Sequence, residues 1–213
     1  MMIIIGLAGK AGSGKSSVAK YLEDIIPARL GMQVRRVSFA TPLKKMAKDI
    51  WGFTNDQVFG DATQKETVDP RHGITPRDAM KLLGQSARHH MGSMVWIDAA
   101  MKWIEDCYNG DRRGGVTSAF VIDDVRYVNE AEVIKKGKQS SVYFRDLWRL
   151  HCPDSISNDD GKHASEAEVD LIRQSLVSAE LHATRAQGLP YLFRLVDAEI
   201  ELIRFRCEYV ERR

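Results

Sequence analysis

The stretch that decides the fold is MIIIGLAGKAGSGKSS, residues 2–17. Its first half is a continuous apolar run, which is typical of a strand buried in a parallel sheet. Its second half fits the pattern G-x-x-x-x-G-K-[ST], whose glycines let successive backbone N–H groups point at phosphate oxygens. Apolar residues then recur at near-helical spacing. This order of strand, glycine loop and helix predicts a loop that binds a nucleoside triphosphate rather than a turn that binds nothing.

The loop pattern assigns roles to individual side chains. Lys15 is predicted to reach the β- and γ-phosphates, and the Ser16 hydroxyl is predicted to be a ligand of Mg²⁺. The N-terminus of the following helix adds a dipole that favours bound phosphate. The residues predicted to hold the triphosphate are Gly9, Ala11, Gly12, Ser13, Gly14, Lys15, Ser16 and Ser17.

Length and composition narrow the class of protein. A chain of 213 residues fits one α/β domain with insertions, or a domain with a small lid. The net charge of +2 is too small to favour nucleic acid or membrane as a partner. Three cysteines, odd in number and far apart, favour a reducing cytosol over a disulfide framework or zinc site. The N-terminus does not resemble a signal peptide, and no apolar run approaches the roughly 20 residues of a membrane span.

Strand and helix patterns alternate along the chain. Strands are predicted at residues 2–8, 33–39, 118–124 and 140–150, with a loop-rich insertion at 52–74. Helices are predicted from Thr41, its cap, and from Pro76, where Thr75 is the cap and Asp78 completes a capping box. Further helices are predicted at residues 95–108, 129–137, 170–181 and 191–210. This alternation predicts a three-layer α/β fold with a parallel central sheet.

Two carboxylates end the third predicted strand. Asp123 and Asp124 stand where a second acidic group for Mg²⁺ is expected beside a phosphate loop, and Asp124 is the favoured ligand. Arg126 follows and is predicted to neutralise the transferring phosphate. The alternative is an ordinary turn after a strand, where Asp is common.

Absent motifs argue against two reaction classes. The chain has no N-K-x-D sequence to read guanine, and Val125 stands where a motor ATPase would carry a water-activating glutamate. A kinase whose acceptor is a neutral hydroxyl needs a carboxylate base. A kinase whose acceptor is a phosphate monoester needs cations instead, because the acceptor oxygen is already anionic and the two phosphates repel each other.

Residues 35–88 have the composition of such an acceptor lobe, with ten Lys or Arg against six Asp or Glu. On the helix from Pro76, the cations Arg77, Lys81 and Arg88 fall on one stripe, and Gly84 on that stripe leaves room for close approach. The opposite stripe of Met80, Leu83 and Ala87 is predicted to face the core. The alternative is that these cations form a solvent-exposed basic face that binds no ligand.

Four segments, SFATPLKKMA, TPRDAMKLLG, VIDDVRYVNEAE and HASE, together resemble the deoxynucleoside monophosphate kinases of phages, over about three quarters of the chain. The resemblance implies a P-loop kinase fold over residues 1–213, with a helical acceptor-binding insertion at about 40–110 and a small lid at about 145–166. It also implies transfer of the γ-phosphate of ATP, with Mg²⁺, to a deoxynucleoside monophosphate (dNMP).

The same resemblance implies roles for residues outside the phosphate loop. Ser38, Phe39 and Lys44 would lie near the acceptor, although a buried packing role for Phe39 is equally open. The acceptor phosphate would be bound by Arg77 and Arg88, and Lys81 is a further candidate because it lies on the same stripe. Asp124 and Arg126 would serve the metal and the transfer centre. Lid cations that contact ATP would be Arg145 and Arg149, with residues 163–166 also in the lid.

The chain departs from the family pattern in two places. Cys152-Pro153 stands where the family often has Arg-Pro, and residues 170–181 are predicted as helix where the family tends to return to a strand. Two other functions stay open: another small-molecule kinase of this loop type, acting on a nucleoside or coenzyme precursor, and a non-catalytic nucleotide-binding regulatory protein. The intact Lys15, Ser16, Asp124 and Arg126 argue against the second.

The expected partners are small nucleotide substrates, without nucleic acid or membrane, and homodimer formation is open. The expected location is the cytoplasm, which would be the host's if the chain is phage-encoded.

Overall fold

The computed structural model describes residues 1–137, 144–154 and 164–211, which form an α/β fold around a parallel sheet. The five strands are β1 (Met2–Ala8), β2 (Gln33–Val37), β3 (Ser118–Val125), β4 (Phe144–His151) and β5 (Ala179–His182). Their order is β2-β3-β1-β4-β5, and every neighbouring pair is parallel. The predicted fold class is confirmed.

The central position of β1 follows from its sequence. All seven residues of this strand are buried, which a strand with neighbours and helices on both sides requires. Its last residue, Ala8, is in register with Val125 of β3 and Arg149 of β4. The loop after β1 therefore starts at the same edge of the sheet where β3 and β4 end. This carboxyl edge is where open α/β sheets bind ligands.

The chain divides into two compact units, Met1–Ser38 with Ile104–Arg213 and Phe39–Trp103. The first unit holds the sheet and the helices α1 (Lys15–Leu30), α7 (Val128–Lys136), α8 (Ala164–Leu171) and α9 (Gly188–Glu211). Its largest apolar cluster joins α1 and α9 to the sheet through Val18, Leu22, Ile26, Val196, Ile200 and Ile203. The first unit therefore carries the phosphate loop on a buried scaffold.

The second unit is helical. It contains α2 (Thr41–Trp51), α3 (Asn55–Phe59), α4 (Ala62–Glu66) and α5 (Pro76–Met91), and α6 (Val95–Arg113) begins in it. Its core is the cluster of Ala47, Phe53, Val58 and Ala79. This unit falls almost wholly within the predicted acceptor-binding insertion of residues 40–110.

Of the helix starts in this unit, the sequence predicted that of α5 correctly, placed that of α2 one residue late and missed α3 and α4. The Thr75 hydroxyl accepts from the Asp78 N–H at 3.1 Å, as predicted for the start of α5. Thr41, by contrast, is the first residue of α2 rather than its cap, which is Ala40. The predicted loop-rich insertion at 52–74 contains the short helices α3 and α4, each started by a capping box.

The predicted helix at residues 170–181 is wrong. Helix α8 ends at Leu171, a 3-10 turn covers Gln174–Leu176, and β5 begins at Ala179. Parallel pairing with β4, in which Trp148 lies opposite Ala179, extends the sheet here and buries Leu181. The hydrogen bonds and burial that β4 offers outweigh the helical periodicity of this short segment.

The lid predicted at residues 145–166 is corrected at its start. Residues 145–149 pair with β1 in the interior of the sheet, so they cannot move as a lid. Residues 155–163 lie outside the described part of the chain. Among the helices within the described residues, none is both long and apolar enough to cross a bilayer.

Candidate active site

The phosphate loop between β1 and α1 has the backbone that its glycines predict. Gly9 and Gly14 have φ values of +152° and +94°, which L-residues with a side chain rarely adopt. A Cβ atom on Gly9 would lie 2.6 Å from the Ser13 Oγ and 2.7 Å from the Leu150 carbonyl oxygen. The loop is therefore packed too closely against β4 to accept a larger residue at its first position.

Lys15 is the first residue of α1, and its ammonium group lies over the loop. Its Nζ donates to the carbonyl oxygens of Gly9 at 2.5 Å and Lys10 at 2.7 Å. Gly14 caps the helix in a left-handed conformation, and a glycine offers no side-chain oxygen to the first N–H groups of α1. Such N–H groups and the helix dipole bind anions. The loop thus combines a cation and helix N–H donors at one place.

Asp124 is held by a hydroxyl from the neighbouring strand. Ser38, directly after β2, donates a hydrogen bond from its Oγ to the Asp124 carboxylate near the end of β3. Because β3 lies between β2 and β1, this pair stands at the carboxyl edge from which the phosphate loop also starts. The structure therefore brings together three sequence-predicted elements: the loop, Asp124 and Ser38.

Asp123 is engaged elsewhere. A register shift between β1 and β3 falls at Asp123 and Asp124, and the two side chains have different partners. The Asp123 carboxylate accepts from Arg36 Nε of β2 at 2.5 Å and forms an ion pair with that guanidinium. Asp124 is therefore the better candidate for a metal ligand, because an adjacent guanidinium already compensates the charge of Asp123.

The turn that carries Arg126 is fixed by a buried carboxylate. Glu130 is only 3% exposed, and its Oε2 accepts from the backbone N–H groups of Arg126 at 2.8 Å and Tyr127 at 3.0 Å. The Arg126 residue itself is exposed. Sequence reasoning gave Glu130 no role. The sequence signal for a role of Glu130 is its position three residues after the helix cap Tyr127. An acidic group at that position often accepts hydrogen bonds from N–H groups at the helix start.

The two cations assigned to the lid occupy different ends of β4. Arg145 pairs with Ile4 near the start of β1, and its guanidinium donates to the carbonyl oxygens of Val133 and Ile134. The sheet end of Arg145 is opposite to the phosphate loop, which argues against contact with ATP. Arg149 lies at the carboxyl edge, and its guanidinium donates to the Ile172 carbonyl oxygen. Arg149 alone of the two stays a candidate for the nucleotide.

The second unit contains a cluster of cations. Lys44 lies over the Phe59 ring with its Nζ 5.2 Å from the centroid, and Arg77 forms an ion pair with Glu66. Burial lowers the pKa of Lys65, and the nearby charges of Lys44 and Arg77 lower it further. We call Lys44, Lys65 and Arg77 the cationic cluster. Like charges held this close favour an anion between them.

Lys65 was not among the sequence-predicted residues, because it lies in the segment predicted as loop. The signal that could have found it is the sequence Asp61–Glu66, where a capping aspartate starts a short helix whose last turn carries Lys65.

The α5 stripe is partly as predicted. Ala79 and Ala87 are buried, and Met80 and Leu83 pack against the core of this unit. Lys81 is exposed, and Arg77 and Arg88 are half-buried. Gly84 is buried, and a Cβ there would lie 3.4 Å from the Leu43 side chain, so its space is occupied by α2.

Phe39 is 2% exposed, which supports a packing role over stacking on a base.

A further polar cluster stands where β4 and β5 end. His151 and His182 are cross-strand neighbours with stacked rings, 4.4 Å apart and 5° from parallel. The Glu180 carboxylate lies 3.5 Å and 3.3 Å from their Nε2 atoms. The Nε2 atom of His182 lies within hydrogen-bond distance of this carboxylate. We interpret this cluster as ring stacking and hydrogen bonding.

Comparisons with known proteins agree with the geometry. No protein-family model matches the chain. The chain is 34% identical over 181 residues to a protein of Acanthamoeba polyphaga mimivirus whose name provisionally gives it as a deoxynucleotide monophosphate kinase. That match covers 81% of this chain and 84% of the viral protein. This chain is also 29% identical over 147 residues to a deoxynucleoside-5'-monophosphate kinase of Escherichia phage T5. The second match covers 67% of this chain and about half, 49%, of the phage protein.

Proposed function

Because the chain belongs to the deoxynucleotide monophosphate kinase family, we propose that it transfers the γ-phosphate of ATP to a dNMP, giving dNDP and ADP. The observation that carries this proposal is the 34% identity over 84% of the viral relative. It is supported by a phosphate loop with an intact Lys15 and by a carboxylate, Asp124, at the same edge of the sheet. We also propose the cytoplasm as the place of this reaction.

The phosphates of ATP are assigned to the loop. The backbone N–H groups of residues 9–17 surround the β- and γ-phosphates, and Lys15 exchanges its two carbonyl acceptors for phosphate oxygens. In the transition state, negative charge spreads over the oxygens of the transferring group. Lys15 then binds the transition state more tightly than it binds ATP, which is the requirement for catalysis.

Two oxygen donors of this chain fit Mg²⁺. The Ser16 hydroxyl follows Lys15 on α1, and the Asp124 carboxylate is oriented by Ser38. Hard oxygen ligands of this kind are what Mg²⁺ prefers, usually with one or two carboxylates and several waters. When bound, Mg²⁺ neutralises charge on the phosphate oxygens. We assign Arg126, on the turn that Glu130 fixes, to neutralise charge on the same phosphate oxygens.

The acceptor phosphate is assigned to the cations of the second unit. We assign it to the cationic cluster, with Lys81 and Arg88 of α5 as further candidates. A dNMP brings its own anionic oxygen as nucleophile, so this assignment requires no catalytic base. The alternative acceptor, a neutral nucleoside hydroxyl, would need one. The grouping of Lys44, Lys65 and Arg77 favours a phosphate acceptor, because an anion relieves the repulsion between their charges.

The test is release of ADP by the purified chain with ATP and Mg²⁺, measured separately with the four dNMPs, the four ribonucleoside monophosphates and the deoxynucleosides. We expect activity with at least one dNMP and none with any nucleoside. Activity with nucleosides alone would overturn the proposal. The Lys15→Ala variant is the control for contaminating kinases, and we expect a loss of about 10²–10³ in kcat. Unchanged circular dichroism would show that this variant is folded.

A further inference from the structure

Helix α9 exposes an apolar stripe. Leu202 is 56% exposed, Phe205 69% and Tyr209 54%, and Ala198 is exposed on the same face. The buried face of the helix is a different one, formed by Leu192, Val196, Ile200, Ile203 and Cys207. Scattered exposed apolar residues are ordinary, whereas a continuous row on one helix marks an interaction surface.

The spacing of the stripe identifies the kind of partner. Ala198, Leu202, Phe205 and Tyr209 are separated by four, three and four residues. The same alternation continues backwards through the half-buried Leu195 and Tyr191. This 3.5-residue repeat is the heptad pattern by which two helices pack side by side. We call these six residues the α9 seam.

The charges that flank the seam are complementary between two parallel copies. One flank carries Arg194 and Glu201, and the other carries Glu199 and Arg206. In a parallel pair of helices each residue of the first flank faces the residue five positions later on the second flank of the partner. Arg194 of one copy then meets Glu199 of the other, and Glu201 meets Arg206. Both contacts join opposite charges, and symmetry makes each of them twice.

The antiparallel arrangement is less complementary. When the whole seam overlaps, it places each flank against the same flank of the second copy, so Glu201 meets Glu201 and Glu199 meets Glu199, and only Arg194 meets an opposite charge, at Glu208. Repulsion between like charges at such positions sets the orientation of paired helices. The sequence of the flanks therefore favours the parallel pair.

Two of these flanking charges stay partly accessible although they have partners within the chain. Arg206 donates to the buried Asp146 at 2.5 Å but keeps 41% of its side chain exposed. Glu201 accepts from Arg29 at 3.2 Å with 42% of its side chain exposed. These internal ion pairs hold both side chains at the edges of the seam, which lowers the entropy that a second copy must remove on binding.

We propose that the α9 seam is the interface of a parallel, two-fold symmetric homodimer. The occupant of the seam is a second copy of this chain, because its own flanks supply the complementary charges. A symmetric interface uses the same surface on both copies, as the seam does. This inference concerns assembly and does not depend on the proposed kinase activity.

The experiment is sedimentation of the full chain across micromolar concentrations. We expect the wild type to reach twice its monomer mass of 24.0 kDa. Phe205→Glu places two carboxylates in the seam and should raise the dimer Kd by more than about tenfold. Leu82→Glu, at a leucine 59% exposed on α5, is the matched control and should leave the Kd unchanged. A monomeric wild type, or a Phe205→Glu variant that dimerises as the wild type does, would overturn the proposal.

Two further variants test the flanks and the orientation. Arg194→Glu brings two acidic residues together in the parallel pair and should weaken the dimer, whereas Lys20→Glu on the exposed side of α1 should not. In a parallel pair residue 205 faces its own counterpart, so Phe205→Cys should form a disulfide-linked dimer in oxidant, beyond any formed by the wild-type cysteines. A dimer in which Phe205→Cys forms no extra cross-link would contradict the parallel arrangement.

Discussion

The carboxylate of Glu130 accepts a hydrogen bond from the backbone N–H of Arg126 at 2.8 Å, and from the next N–H at 3.0 Å. Glu130 is buried, and both donors belong to the turn that links β3, with Asp124, to α7. A buried side chain thereby fixes the backbone that carries Arg126. We regard Glu130 as a positioning residue.

Replacing Glu130 should therefore affect transfer more than binding. We expect Glu130→Ala to lower kcat by about ten- to a hundredfold, because a small displacement of a catalytic group has that effect, while KM for ATP changes little. Glu130→Gln keeps an acceptor oxygen and should recover part of the loss. Steady-state kinetics of both variants test this. Equal kcat values for the alanine and glutamine variants would argue against an orienting role.

Removal of the Ser38 hydroxyl should raise the Mg²⁺ concentration that the reaction needs. Ser38→Ala leaves Asp124 without its hydroxyl donor, so the carboxylate is less well oriented toward a metal. We expect the Mg²⁺ concentration for half-maximal activity to rise by about tenfold or more. Asp124→Asn should have a larger effect, and Asp123→Asn a smaller one, because Arg36 already neutralises that carboxylate. A larger effect of the Asp123 variant would reverse our assignment of the ligand.

Loss of cations in the second unit should raise KM for the dNMP and not for ATP. A charged hydrogen bond contributes roughly 1.5–3 kcal/mol, so Arg77→Ala or Lys65→Met should raise KM for the dNMP by about ten- to a hundredfold. Lys45→Met, at an exposed lysine of α2, removes the same charge and should change neither constant. Equal changes in both KM values would point to a general disturbance of folding.

The stability of the second unit should depend on a single carboxylate at low pH. Arg71 and Gln57 donate to the buried Asp69 and hold the pKa of this carboxyl well below its ordinary value of 3.8. A lowered folded-state pKa stabilises the fold above the unfolded value and loses this effect as the pH falls. We expect Asp69→Asn to lower the free energy of unfolding at pH 7, and the difference from wild type to shrink below about pH 4.

Urea unfolding at several pH values measures this difference. If it stays constant between neutral and acidic pH, the destabilisation comes from packing and not from the ionised carboxylate.

Much of the first unit could be predicted because its signals are local. The buried strand β1, the glycine loop, the amphipathic start of α1 and the long helix α9 each follow from neighbouring residues. In the second unit the cap of α5 at Thr75 is a local signal of the same kind. The strand β5 could not be predicted in this way. Its four residues carry weak propensity, and the segment is a strand because β4 offers it an edge to pair with.

The sequence by itself determined the parallel α/β fold, the phosphate loop and the chemical class of its ligand, because glycine spacing and apolar periodicity act over a few residues. Tertiary structure decided which carboxylate is available. Asp123 and Asp124 are adjacent and chemically identical, and they differ because β2 presents Arg36 to one and is followed by Ser38 beside the other. Tertiary structure also brought Lys65 to Lys44 and Arg77 across a span of more than thirty residues. Contacts between distant segments depend on how helices pack, and no local pattern encodes them.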